Sequence, residues 1–535
     1  MTRAVTALQR GMTQPPPDKT PNIAPNSASD WTPELAELKR REAFALQMGG
    51  VEKVARQHGR GKMDARARIA TLLDTDSFHE IGKIAGKGSY SADGTLEHVS
   101  PSNFIFGRGK IHGRTLVVTG DDFTVRGGAA DAAIYRKFVM AEQMAHEMRL
   151  PLIRMIDGTG GGGSVKMLED MGLTYVPYVP GWDHVVKNLD TVPVVGLALG
   201  PTAGLGAARV VASHYSVMVK GLSQIFTAGP AIVAGMSDTQ KTDRLSKEDL
   251  GGSEIHTRNG VIDDEAASEL DAFRMARNFL SFLPDYIGAP LVRVDCQDAT
   301  DRADAALLSI VPRDKKSAYN MRNIIVAVAD TGSVFEMGKK WGRGVITAFA
   351  RFDGWPVAVM ANDPTFLGGS WTADTAEKAK RFVELAEKFQ LPVINLVDNP
   401  GFMIGLEAEK SATIRRGVEA MNGIYNATMP WATVIVRKAY GVAGAAMSNH
   451  SKFQYRVAWP SGDWGSLPIE GGVEVAYQSD LAKSADPVEE LKTIKARLAN
   501  VTSPFRTAEQ FRVEDIIDPR ETRKWLCEFV NLVMR

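Results

Sequence analysis

Apolar positions along the chain fall into two kinds of segment: short runs of Val, Leu and Ile that end in glycine, and longer stretches with apolar residues at helical spacing. The clearest run follows Pro193. Val194 to Leu199 reads as a buried strand, stops at Gly200-Pro201, and turns through Gly204 and Gly206 into an alanine-rich helix. Further strands are predicted at Phe104–Ile111 and Thr115–Thr119 (paired through His112-Gly113), Leu152–Ile156, Ser216–Val219, Val345–Phe349 and Val357–Met360. Helices are predicted at Ala65–Leu73, Asp131–Arg149, Asp264–Phe282, Thr375–Gln390, Pro487–Asn500 and Pro519–Met534. Another begins near Trp31, with Thr32 as N-cap and Pro33 in its first turn. Strands alternating with helices, with glycine turns after the strands, predict an α/β fold whose site lies at the strand C-termini.

The pattern occurs twice. Met429 to Ala446 repeats the strand, the glycine turn and the alanine-rich helix. Pro430 lies 237 positions after Pro193, and Gly441 lies 237 after Gly204. Leu150 to Asp157 matches Leu391 to Asp398 at an offset of 241, and Gly127-Gly128 matches Gly368-Gly369 at the same offset. Matched segments in the same order predict an internal duplication and two similar domains. Residues 1–30, rich in Pro, Asn, Ser and Thr, read as a disordered tail, residues 31–288 as the first domain and residues 289–535 as the second. The proline-punctuated stretch 283–316 is the boundary region.

Composition removes several function classes. The 63 Lys and Arg balance 63 Asp and Glu, so charge makes no case for nucleic acid or an anionic membrane. Two cysteines, Cys296 and Cys527, build neither a disulfide framework nor a zinc site; both read as buried small hydrophobes of a reducing compartment. No apolar run reaches the ~18 residues of a transmembrane helix. The leader carries Arg3 and Arg10 and no acid before Asp18. It reads as untargeted, which implies a cytoplasmic bacterial protein, or as a targeting peptide, which implies the mitochondrial matrix.

A strand that feeds a glycine turn and a helix leaves backbone N–H groups free, with the helix dipole adding positive potential; such a turn holds a phosphate or a developing oxyanion. The basic loop His58 to Met63 is either solvated or a phosphate contact. Glycines crowd the loop from Asp157 to Ser164 and permit close approach of a ligand. Asp157 and Asp398, at strand ends, read as turn or capping residues, with a role as bases the alternative. His256 and His450 read as structural. No P-loop, HExxH motif or G-x-S-x-G elbow occurs. Backbone amides without nucleophiles point to chemistry in which another group carries the reactive atom and the protein stabilises an enolate.

Four motifs carry a resemblance: Asp122-Phe123-Thr124-Val125-Arg126-Gly127-Gly128-Ala129, Leu250-Gly251-Gly252, Asp398-Asn399-Pro400-Gly401-Phe402 and Arg437-Lys438-Ala439-Tyr440-Gly441. They resemble the carboxyltransferase β subunits of biotin-dependent acyl-CoA carboxylases, the propionyl-CoA and methylcrotonyl-CoA carboxylase family, from about residue 31 to the C-terminus. The resemblance implies an α/β fold of two tandem crotonase-like (ClpP/crotonase) domains. It implies a homo-hexameric core in which the first domain of one subunit faces the second of another, an acyl-CoA substrate, and biotin carried on a separate biotin carboxylase and biotin carboxyl carrier α subunit.

Carried over by position, the resemblance makes Gly204 and Leu205 one catalytic amide pair and Val442 and Ala443 the other, one for the thioester oxygen and one for the biotin ureido oxygen. It assigns Gly127, Gly128, Ala129, Gly160 and Gly161 to substrate binding, Ala445 to acyl selection, and Gly368, Gly369 and Phe402 to the biotin cofactor; it implies no metal. This chain departs from the family pattern. The loop after Asp157 lacks the usual arginine, the acyl-selecting position, acidic in propionyl-type members, is Ala445, and Leu205 and Val442 stand where glycine is usual. Gly401 to Gly405, Glu407-Ala408-Glu409 and Ile517-Asp518-Pro519 are nearer the methylcrotonyl branch, whereas Arg437-Lys438 is propionyl-like. A branched or larger acyl group is the expectation. The alternatives are a subunit of a biotin-dependent decarboxylase or transcarboxylase, and a non-catalytic scaffold.

Overall fold

The computed structural model describes residues 30–129, 134–158, 168–169, 171–176, 178–229, 233, 246–499 and 501–534. The expected tail, the start of the helix expected from Asp131, and most of the glycine loop after Asp157 lie outside them.

Two sheets repeat one plan. The first contains β1 (His79–Glu80), β2 (Phe104–Ile111), β3 (Arg114–Asp121), β4 (Leu152–Ile156), β5 (Val194–Ala198), β6 (Tyr215–Val219) and β7 (Asp264–Ala266), side by side in that order. The second contains β8 (Phe335–Met337), β9 (Val345–Phe352), β10 (Trp355–Asn362), β11 (Val393–Asn399), β12 (Trp431–Tyr440) and β13 (Tyr455–Ala458), with β14 (Asp463–Gly465) also on β12. In each sheet the first two pairings are antiparallel and the rest parallel. The parallel strands β4, β5, β6 and β11 are buried along their whole length, which explains their unbroken apolar runs.

Aromatic residues join the halves. Tyr215 of β6 stacks on Phe279 at 4.8 Å and meets Phe335 of β8 edge-on at 5.5 Å. Phe279 in turn stacks on Phe349 of β9 at 5.7 Å. One apolar cluster therefore runs through both sheets, and separate clusters fill the rest of each half. Among the described residues no helix is long and apolar enough to cross a membrane.

Three local expectations are corrected. The stretch Asp264–Phe282 is not one helix: Asp264–Ala266 is edge strand β7, and the helix runs Glu269–Ser281 because the Ser268 side chain caps it by accepting from the Asp271 amide. Trp31, not Thr32, stands at the N-cap of the Thr32–Leu46 helix, which has no side-chain cap. Cys527 is buried, but Cys296 is only half-buried.

Candidate functional site

After β5 the chain makes the short strand Pro201–Ala203, which pairs in parallel with Gln224–Phe226. Gly204 then takes φ 56°, a left-handed conformation that glycine adopts without penalty, and the Leu205–Val211 helix begins without a side-chain cap. Two other glycines let the backbone close up here. A Cβ at Gly200 would lie 1.9 Å from Asp157 Oδ1, and one at Gly196 would lie 2.2 Å from Val210 O. The second copy has the same form. β12 ends at Tyr440, Gly441 takes φ 60°, and the Gly441–Ala446 helix also starts without a side-chain cap.

The turns correct one site assignment. The Gly204 amide donates to Phe226 O at 3.1 Å, so it is engaged inside the fold. Gly204 supplies the bend, and the uncapped donors at this turn are those of Leu205 and Gly206, the first two helical residues. At the second turn Val442 and Ala443 occupy the corresponding first turn of the helix; Val442 is exposed and Ala443 buried.

The loops beside the turns are duplicated in detail. Arg126, Gly127 and Gly128 have φ 52°, 65° and 68°; Leu367, Gly368 and Gly369 have 48°, 66° and 86°. A Cβ at Gly128 would lie 2.6 Å from Asp157 O, and one at Gly369 would lie 2.6 Å from Asp398 O. Both glycines are therefore required by close packing onto the end of the neighbouring strand. Gly127 and Gly368 face open space, with no atom nearer than 4.0 Å to an added Cβ. Ala129 O accepts from Asn103 Nδ2 at 2.7 Å, which ties the loop down. Phe402 is half-buried and packs on Trp371 with ring centroids 6.1 Å apart, so it anchors its loop to the core. Gly160 and Gly161 lie outside the described residues.

The two strand-end aspartates are fully buried and ion-paired, in place of the turn or capping role expected of them. Asp157 accepts from Lys62 Nζ at 2.7 Å, Arg68 Nη1 at 2.8 Å and Gln57 Nε2 at 3.3 Å. Arg68 also donates to Glu269 Oε1 at 2.7 Å and, through Nη2, to Leu199 O at 2.9 Å. His58 to Gly61 of the basic loop are exposed, as expected of a solvated loop, whereas Lys62 is buried and engaged by Asp157. Burial pulls that ammonium below its ordinary pKa against the attraction of Asp157. Asp398 accepts from Arg437 Nε at 3.0 Å, the Tyr319 hydroxyl at 2.9 Å and the Lys438 amide at 3.0 Å. Pairing of this kind holds both carboxylates as anchors and leaves neither free as a base.

Ala445 lines a cavity of about 240 Å³ beside Gly441, together with Ser448, His450, Arg456 and Trp464. His450 Nε2 lies 3.1 Å from Ala445 O, and partial burial lowers the imidazole pKa from its ordinary value. His256 Nε2 sits 2.9 Å from Ile225 O. Among the described residues no cluster of His, Cys, Asp and Glu is arranged to hold a metal ion.

Sequence reasoning missed Lys62, Arg68, Glu269, Tyr319 and Asn399 as parts of the site's support. Lys62 and Arg68 are 95 and 89 positions from Asp157, and no local pattern marks so distant a pairing.

A carboxyl transferase domain model matches residues 56–535. The propionyl-CoA carboxylase beta chain of Saccharopolyspora erythraea is 32% identical over 533 residues, covering 97% of this chain and 95% of its own. The methylmalonyl-CoA decarboxylase subunit alpha of Veillonella parvula is 31% identical, covering 92% of this chain and 94% of its own. Among solved structures, the transcarboxylase 12S hexamer with methylmalonyl-coenzyme A and methylmalonic acid bound superposes with a TM-score of 0.83 at 27% identity, covering 94% of this chain and 95% of its own. The chain belongs to the carboxyl transferase family, and its duplicated α/β fold is that of an acyl-CoA carboxyltransferase.

Proposed function

We propose that the chain performs the transfer half-reaction of a biotin-dependent acyl-CoA carboxylase, moving CO2 from carboxybiotin to the α or γ carbon of an acyl-CoA. The observation that carries this reading is the pair of matched glycine turns, Gly204 and Gly441, each opening an uncapped helix at a strand end. In this reading Leu205 and Gly206 donate to one oxygen and Val442 and Ala443 to the other. One is the thioester oxygen, which gains negative charge as the enolate forms, and the other the ureido oxygen. Each such donor contributes roughly 2.7–4 kcal/mol in enzymes where one has been removed. Carboxybiotin, brought by a partner biotin carboxylase and carrier subunit, supplies the CO2 and a ureido nitrogen that takes the acyl proton.

The cavity beside Gly441 is polar at Ser448, His450 and Arg456 and apolar at Ala445 and Trp464, a mixed lining that suits a ureido ring or an acyl chain. Gly127 and Gly368, open on their solvent side, are the loop glycines we assign to CoA and biotin contact; Gly128, Gly369 and Phe402 support them from behind. A homo-hexameric core, residues 31–288 and 289–535 as its two domains, and a bacterial cytoplasmic setting complete the proposal. They are supported by the hexamer assembly of the transcarboxylase 12S and by the near-complete match to a bacterial carboxylase chain. Likeness to a methylmalonyl-CoA decarboxylase subunit supports a second reading, the same transfer run in reverse.

The test is a complex of this chain with its biotinylated partner, ATP, labelled bicarbonate and a panel of acyl-CoAs. Label in at least one acyl-CoA is expected. A panel that stays unlabelled with a partner shown to carboxylate its own biotin overturns the proposal; loss of CO2 from a carboxylated acyl-CoA in that case selects the reverse reaction. Ala445→Asp should narrow the cavity and shift kcat/KM toward shorter acyl chains by about tenfold, the scale set by a methylene or two. An unchanged preference removes Ala445 from acyl selection.

A further inference from the structure

We infer that Asp398 is a positioning residue that aims the second glycine turn, and that Tyr319 and Arg437 hold it for that task. The inference rests on the proposal that this turn binds a charge-developing oxygen. The pairing of β11 with β12 is regular from Val393↔Trp431 to Val397↔Ile435, then jumps to Asn399↔Ala439. One residue of β11, Asp398, thus faces three of β12: Val436, Arg437 and Lys438. A bulge of this kind bends its strand and leaves ladder groups unpaired. The carboxylate of Asp398 replaces the missing partner, because its Oδ1 accepts from the Lys438 amide at 3.0 Å. Its Oδ2 is fixed by Arg437 Nε at 3.0 Å and the Tyr319 hydroxyl at 2.9 Å. Arg437 is held in turn by Ser317 O at 2.9 Å and by the Tyr319 ring, 4.8 Å from its guanidinium carbon.

Successive side chains of a strand point to opposite faces. The next residue, Asn399, donates from Nδ2 to Ala443 O at 3.1 Å, inside the helix that carries the candidate amides, and accepts from the Gly401 amide at 2.9 Å. The strand before the turn and the helix after it are therefore both fixed to the last two residues of β11. Gly441 lies between these two attachments. Its direction, and with it that of the Val442 and Ala443 amides, is set by side chains that touch no substrate.

An interaction made chiefly in the transition state lowers kcat when lost and leaves KM nearly unchanged. The experiment uses the full chain with its biotinylated partner, and measures kcat per active site, acyl-CoA KM and thermal midpoint for Asp398→Ala, Asp398→Asn and Tyr319→Phe. Asp398→Ala should lower kcat at least 30-fold, on the order of losing one preorganised donor. Asp398→Asn keeps an acceptor for the Lys438 amide and should recover part of that loss. Tyr319→Phe removes one hydrogen bond without changing shape and should lower kcat about three- to tenfold, the scale of one ordinary hydrogen bond, with acyl-CoA KM within about twofold. An Asp398→Asn variant no better than Asp398→Ala overturns the inference. So does a Tyr319→Phe enzyme of unchanged kcat, and this remains readable if the alanine variant does not fold. Wild-type complex that transfers nothing tells against the proposed function; active wild type with unaffected variants tells against the aiming role.

Discussion

Asp157 and Asp398 occupy the same place in the two halves, at the ends of β4 and β11, and both are fully buried, yet they are held by different means. Asp157 sits in a charge cluster that joins four separate parts of the first half: Lys62 and Gln57, Arg68, the strand end at Leu199, and Glu269. Asp398 has one cation, one hydroxyl and one backbone amide, all close to the bulge before Gly441. The helices after the turns differ likewise. Arg209 ties the first to Asp121 at 3.2 Å, whereas the neutral Asn399 ties the second. The duplication has kept the turn geometry and replaced the framework behind it. The first half uses its aspartate to assemble the domain, and the second uses its aspartate to correct one strand.

The largest test of that difference is the pair Asp157→Ala and Asp398→Ala. Removing Asp157 strands Lys62 and Arg68 in the core with only Glu269 as counter-charge, and breaking a buried pair costs about 3–5 kcal/mol. Asp398→Ala strands one buried cation where Asp157→Ala strands two, and Arg437 keeps Ser317 O and the Tyr319 ring, so it should cost less stability, about 3 kcal/mol at the low end of that range, and more turnover. Denaturant unfolding and kcat per active site, measured on both variants, check this. Equal stability losses erase the distinction between the halves.

Gly128→Ala and Gly369→Ala test what the halves share. Each new Cβ would fall 2.6 Å from a strand-end carbonyl at a left-handed φ, and strain of this kind costs about 1–3 kcal/mol. The two losses should agree within about 0.5 kcal/mol. Gly127→Ala and Gly368→Ala meet open space and should cost only the backbone term, about 1 kcal/mol. A Gly128 loss no greater than that of Gly127 removes close packing as the reason for the second glycine in each loop.

These glycines also show how far the sequence was legible. The duplication, the strand-turn-helix units and the place of the turns follow from local patterns: apolar runs, glycine spacing and two constant offsets. The function of each glycine does not. Gly128 and Gly369 look like ligand glycines beside Gly127 and Gly368, and only the carbonyl behind them reveals a packing role. The Gly204 amide looked free until Phe226, 22 residues on, was seen to accept from it. Edge strand β7 was hidden in a helical pattern, because three residues carry too little period to be told from a helix start. Partners distant in sequence leave no local signature, and both aspartate frameworks are built from such partners.

The smallest predicted effect concerns two matched lysines. Lys137 donates to Gly82 O at 3.2 Å and Lys378 to Val345 O at 2.9 Å, and burial lowers each pKa to about 8. The unfolded chain holds these protons up to the ordinary lysine value near 10.4. Between about pH 8 and that value the unfolded state binds more protons than the folded one, so stability rises with pH through this window. Below pH 8 both states are protonated, and the full cost of burying the charge remains. From pH 7 to pH 9 each lysine should add about 1 kcal/mol to the unfolding free energy. Carboxylates of ordinary pKa are ionised throughout this interval; Asp264, raised by burial to about 7, still loses its folded-state proton at the lower end and opposes the lysine slope there. Lys137→Met and Lys378→Met should each remove about half of the lysine contribution, and the double variant should remove all of it, since the sites lie in different halves and add independently. A slope that survives the double variant assigns the pH dependence elsewhere. Unequal losses from the single variants would mean that the charges facing each ammonium, Glu80 and Arg66 at Lys137 and Glu336, Asp363, Arg322 and the first half's Asp264 at Lys378, have diverged in effect as the aspartate frameworks have.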